Sequence, residues 1–177
     1  MPGLVLAFLF LALGLACIDD YGATWDERET YLTSRKVAGG AAESGEASEG
    51  WHVLPGYFFV FDLARGLFSR LLVERMELLD WIECQHLFHL LLASLSVFLL
   101  YQAAFLLSER VRPALWIALA LALFPKFVGH AQSNPKDLPA LSAFVLVLYA
   151  MARLHVRKSW GNALLSGAAL GFAFSVR

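Results

Sequence analysis

Five blocks of almost uninterrupted apolar residues dominate this chain: Leu4–Ile18, Leu87–Leu107, Ala114–Val128, Leu138–Ala152 and Ala163–Val176. Their apolar residues alternate neither at the period of a half-buried strand nor at that of a surface helix. Such blocks need an apolar solvent. Composition agrees, with 59% hydrophobic and 16% charged residues, where a soluble domain carries about 45–50% and about 25%. The chain reads as all-α, a polytopic membrane bundle of about five transmembrane helices. Only the second block reaches the roughly 20 residues that cross a bilayer comfortably. The others must borrow flanking residues, tilt little or pack inside the bundle. The first block has no Lys or Arg before it and only a poor cleavage site ahead of Cys17, so it reads as a retained helix, not a signal peptide. The organisation is then one domain over 1–177, with a first helix at 1–18, a long external loop at 19–86 and helices two to five at 87–177.

Lys and Arg set the orientation. Arg110 and Arg112 follow the second block, and Arg153, Arg157 and Lys158 follow the fourth. The positive-inside rule makes both connections cytoplasmic. Residues 19–86 and the turn around 129–137 then lie outside, and of the 15 Asp and Glu only Glu109 falls on the cytoplasmic side. Net charge is -1, which gives no reason to expect a nucleic-acid partner. Two cysteines, Cys17 and Cys84, are too few for a disulfide framework and read as two inert thiols, although one bridge between them is conceivable.

The external loop divides in three. Ala38–Gly50 is small, acidic and rich in Gly and Ser, a linker composition. Trp51, Tyr57, Phe58 and Phe59 suit the headgroup layer. From Phe61 to Ile82 apolar residues recur at helical spacing, with Arg65, Arg70, Glu74, Arg75 and Glu77 between them. That pattern predicts amphipathic interfacial helices, lying on the membrane or packed on the bundle.

Two acidic motifs stand out, both on the outer side. In the first, Thr24 is placed to cap a helix whose opening turn holds Asp26 and Glu27. Adjacent carboxylates on a helix diverge by about 100°, so only one can face a cleft. The second is Asn134-Pro135-Lys136-Asp137, following Pro125, Gly129 and His130, with Asp137 at the start of a helix. Polar groups packed this densely beside a bilayer are costly and tend to be functional. Capping is an equally good reading for each motif. Lys136 suits a phosphate group or an interfacial site, Lys126 reads as a snorkelling cation, and Arg177 is a further phosphate candidate. His130 reads as bonded to a loop carbonyl. His86 and His89 share a helix face at i, i+3, but no third ligand for zinc is evident nearby. Phosphate-binding glycine loops, nucleophile elbows and HExxH are all absent from the sequence.

The layout resembles the C-type superfamily of membrane glycosyltransferases, in particular the protein O-mannosyltransferase and aminoarabinose-transferase branch. The resemblance rests on one helix followed by a long external loop opening with Trp25-Asp26-Glu27-Arg28-Glu29-Thr30-Tyr31. It continues through Leu54-Pro55-Gly56-Tyr57-Phe58, the His86-Leu87-Phe88 start of helix two, and Pro125…Gly129-His130…Asn134-Pro135-Lys136-Asp137. The family's Pro-Pro pair is Pro55-Gly56 here. Family members continue with further helices, so the chain looks like an N-terminal portion, truncated at its C-terminal end.

The resemblance implies sugar transfer from a polyprenyl phosphate to a hydroxyl acceptor (protein, lipid or glycan) on the extracytoplasmic face, in a bacterial inner membrane. It implies Asp26 as general base, with Glu27 and Asp137 in support. Lys136 and Arg177 would meet the donor phosphate, His130 and Asn134 would support the loop, and Asp26 with Asp137 would be the candidate ligands if Mg²⁺ or Mn²⁺ is used. The alternatives are a non-catalytic membrane fragment and a transporter or lipid-binding membrane protein.

Overall fold

The computed structural model describes residues 2–39 and 59–176, and within them it is helical with no strand. Most of the Gly/Ser-rich linker, Trp51, Leu54-Pro55-Gly56, Tyr57, Phe58 and Arg177 lie outside the described residues. The helices are α1 (Pro2–Leu15), α2 (Trp25–Val37), α3 (Phe59–Ser69), α4 (Trp81–Ser108), α5 (Val111–Ala122), α6 (Pro125–Ser133), α7 (Asp137–Val156) and α8 (Trp160–Ser175). Cys17 and Cys84 are unpaired, the first exposed and the second buried.

Helix α4 is the axis of the bundle, and α1, α5, α6 and α7 pack around it, with α8 on α7 and α2 on α3. Small residues bring the backbones together. Ala114, Ala118 and Ala122, one turn apart on α5, meet Ala93, Val97 and Ala104 of α4 in the main core. Close approach through small side chains is how helices pack where lipid supplies no hydrophobic drive. Ser96 of α4 donates to Ser142 of α7 at 2.8 Å, an interhelical bond of the kind that substitutes for water in an apolar medium.

Helices α4 and α7 are long and apolar enough to cross a membrane, and α5 with α6 makes a third span if the bent pair is counted as one. The helical bundle expected from the apolar blocks is present, with these two or three helices as its candidate spans by length and composition. At 14 and 16 residues, α1 and α8 fall short of the roughly 20 that cross the hydrocarbon core. The third apolar block is not one helix. It breaks by 61° between α5 and α6, because Pro125 has no N–H to continue the ladder and forces Phe124 into extended backbone.

The amphipathic stretch 61–82 is also not continuous. After α3 the chain runs through a π-helical turn, Arg70–Arg75, and Glu77 takes a left-handed φ of 50°. Asp80 then opens α4 through a capping box: its carboxylate accepts from Glu83 N–H at 2.8 Å, and Glu83 accepts from Asp80 N–H at 3.0 Å. Helix two therefore begins at Trp81, a turn and a half before the expected His86. Helix α3 also buries more polar surface than its apolar pattern predicts. Phe61, Asp62, Arg65, Gly66 and Ser69 are buried, whereas Val60 and Leu67 are exposed. The helix thus buries a polar stripe beside Phe61 and leaves part of its apolar surface outward, as suits an interfacial helix.

Gly66 marks where α3 crosses α2. A Cβ there would overlap the Ser34 carbonyl and crowd the Ala38 side chain. Because the obstacle is backbone, the helices must separate. Gly66→Ala is expected to destabilise the protein by about 1–3 kcal/mol, read as a lowered midpoint of thermal unfolding in detergent.

Candidate active site

The site is assembled at the end of the bundle where α4 and α7 begin. The opposite end holds a groove of about 480 Å³ lined by Pro2, Val111, Tyr149, Arg153 and Arg157, so the basic connections gather away from the acidic motifs.

Helix α2 starts as its sequence predicts. Thr24 is the N-cap and forms a capping box with Glu27, the Thr24 N–H donating to Glu27 Oε2 at 2.6 Å. The helical advance then sends the two neighbouring carboxylates to different places. Glu27 turns inward, only 1% exposed, and its Oε1 lies 3.2 Å from His86 Nε2 on α4. The other ring nitrogen of His86 is 3.4 Å from the Ile18 carbonyl. Asp26 stays half-exposed and pairs with Lys136 Nζ at 2.9 Å. The Thr24 hydroxyl donates to the Ser133 carbonyl at 3.1 Å. The two acidic motifs, more than a hundred residues apart in sequence, are thus joined by an ion pair and a hydrogen bond.

The second motif is a cap built on Asn134. Its Oδ1 accepts from the N–H groups of Lys136 (3.1 Å) and Asp137 (2.8 Å), satisfying donors that the start of α7 would leave orphaned. Its Nδ2 donates to Asp137 Oδ2 at 3.2 Å and lies 2.9 Å from His130 Nδ1. His130 therefore meets a side-chain amide, not the loop carbonyl expected, and belongs to α6. Asp137 opens α7, where its charge favours the helix dipole. Beside it runs a groove of about 610 Å³, lined by Leu121, Phe124, Phe127, Leu138 and Leu141, with Lys126, His130 and Asp137 among them. The groove is lined mostly by apolar side chains, with charged groups among them.

Beneath these groups lies a buried polar layer. The Arg65 guanidinium, 1% exposed, donates to Asp62 Oδ1 at 3.1 Å and to the Pro135 carbonyl at 3.3 Å. It also lies 3.4 Å from His89 Nε2. Burial pushes the Asp62 carboxyl up to about 6, against the pull of Arg65. Burial lowers Arg65 to about 10, against the opposing charges of Asp62 and Glu27. His86 and His89 are completely buried and take different partners, Glu27 and Arg65. Among the described residues no group of three or more His, Cys, Asp or Glu converges to hold a metal ion. The Asp26 carboxylate is held by Lys136.

Of the residues named from sequence, Asp26, Glu27, Lys136, Asp137, His130 and Asn134 fall in one region, and Arg177 lies outside the described residues. Sequence reasoning missed Asp62, read Arg65 only as a charge between apolar positions, and gave His89 no partner. One signal was present. Asp62 and Arg65 stand at i, i+3 and so share a helix face.

A family model described as dolichyl-phosphate-mannose-protein mannosyltransferase matches residues 83–177. No curated protein and no solved structure matches the chain. The matched stretch runs from the first turn of α4 through α8 and contains the Asn134–Asp137 turn and the groove beside it. The apolar helices that frame this site, together with a family match over more than half the chain, make it an integral membrane protein of a glycosyltransferase type; the chain belongs to the dolichyl-phosphate-mannose-protein mannosyltransferase family.

Proposed function

We propose that this protein moves a sugar from a polyprenyl-phosphate donor to a hydroxyl acceptor on the extracytoplasmic face of the membrane. The observation that carries this reading is the 2.9 Å pair between Asp26 and Lys136. It sets a half-exposed carboxylate and a cation side by side, next to an apolar groove. Transfer needs both charges. The acceptor oxygen attacks the anomeric carbon and gives its proton to the Asp26 carboxylate. The bond between that carbon and the phosphate oxygen breaks, and its electron pair leaves with the lipid phosphate. Lys136 stabilises the developing negative charge, exchanging Asp26 for the donor's phosphate as the donor arrives. The groove takes the first isoprene units along Leu121, Phe124 and Phe127, with Lys126 of its lining as a second phosphate contact. Asp137, held by Asn134, orients the acceptor. No step is routed through a metal ion.

The basic connections at the far end of the bundle support the orientation through the positive-inside rule. The test is transfer of radiolabelled sugar from polyprenyl-phosphate mannose, and from other polyprenyl-phosphate sugars, by membranes containing the protein. Transfer is expected with at least one donor, and none with any donor–acceptor pair would reject the reading. Lys126→Ala is expected to raise the donor KM by about 10-fold or more, from loss of a charge-assisted contact, with a smaller change in kcat. An unchanged KM would remove Lys126 from the donor site.

A further inference from the structure

Arg65 heads the fully buried side chains among the described residues when these are ranked by volume, and the reaction above does not use it. Burying a guanidinium is expensive, and an apolar residue of similar size often packs as well or better. The contacts show what an apolar residue would forfeit. The Nη2 group reaches across to the Pro135 carbonyl at 3.3 Å and to His89 Nε2 at 3.4 Å, while Nη1 is held by Asp62 at 3.1 Å. The Phe88 ring lies 5.5 Å below the guanidinium carbon. One side chain therefore ties α3, α4 and the turn between α6 and α7.

The turn is short, and Pro135 has no N–H, so its carbonyl is the one backbone polar group by which that residue can be held. The next residue is Lys136, whose ammonium meets Asp26, and the one after is Asp137. On the other side of the site, α2 is fastened to α4 by Glu27 and His86 at 3.2 Å. His86 and His89 are one turn apart on the same face of α4. Both halves of the site are thus referenced to a single helical face, α2 through His86 and the turn through His89 with Arg65.

We propose that Arg65 is a positioning residue for sugar transfer: it holds the Asn134–Asp137 turn at the height where Lys136 and Asp137 stand opposite Asp26. The proposal rests on the roles given to those residues above, but its first readout is independent of activity. Hydrogen exchange of the segment 134–137, measured by mass spectrometry on the membrane protein in detergent, reports how firmly the turn is held. In Arg65→Met, exchange of the Lys136 and Asp137 amides is expected to be about 10-fold faster or more, with α5 and α7 protected as in the wild type. The kcat for transfer should fall about 100-fold, the scale of a 1 Å misplacement, with the donor KM within about threefold. Arg65→Lys, whose ammonium still donates to Asp62 and the Pro135 carbonyl, should recover part of both.

Wild-type exchange in the turn of Arg65→Met would overturn the proposal, as would a loosened turn with unchanged kcat. Faster exchange throughout the bundle, with no recovery in Arg65→Lys, would reduce Arg65 to a packing residue and overturn it too. If the wild-type protein transfers no sugar, the function proposed above fails instead. Exchange in the turn then still decides whether Arg65 holds it.

Discussion

Replacing Asp26 by Asn is expected to lower the kcat for sugar transfer by about 10²–10⁴-fold, the usual contribution of a positioned general base. The amide has the shape of the carboxylate but cannot accept the acceptor's proton. Fold and donor binding should survive. The Asp26–Lys136 pair is 41% and 59% exposed on its two sides, and pairs of that kind contribute only about 0–1 kcal/mol. Losing it leaves Lys136 free to meet the donor phosphate, so the donor KM should stay level or fall. Single-turnover transfer with saturating donor separates these effects. Turnover near the wild type would exclude Asp26 as the base, and a raised KM with unchanged kcat would make it a binding residue.

Glu27→Ala should act on stability instead, by about 1–3 kcal/mol, the cost of leaving a buried polar group without its partner. One carboxylate serves two groups, the Thr24 N–H at 2.6 Å and His86 at 3.2 Å. Truncation leaves the buried His86 ring without that carboxylate and the Thr24 N–H without its cap at the junction of α2 and α4. Denaturation of the protein in detergent measures the loss. The mechanism can be checked by adding His86→Ala. Residues acting as a unit are non-additive, so the double variant should cost little more than Glu27→Ala alone. Full additivity would mean that the two side chains stabilise the protein separately.

These expectations follow from two adjacent carboxylates with different fates. Their divergence by about 100° could be read from helix geometry, and Thr24 as the cap could be read from its place before Asp26 and Glu27. Which carboxylate would turn inward could not. That depends on His86, which is brought opposite α2 only when α4 takes its place in the bundle. Arg65 makes the same point more sharply. On an amphipathic pattern a charged residue reads as a solvated one, because burying an isolated charge is costly. Here three partners from different segments offset that cost, and Val60 and Leu67 of α3 face outward. No local pattern distinguishes the two orientations.

What the sequence determined by itself was local or compositional. The apolar blocks had to leave water, so a helical membrane bundle followed. Asp137 had to open a helix, and the basic connections had to fall together. The tertiary structure decided which polar groups meet. Thr24 and Ser133 touch across a separation of 109 residues, and Lys136 reaches Asp26 over a similar span. A hydrogen bond or ion pair has no signature in the sequence around either partner. Its energy exists only when packing brings the two within about 3 Å, and here α4 is the helix around which that packing occurs.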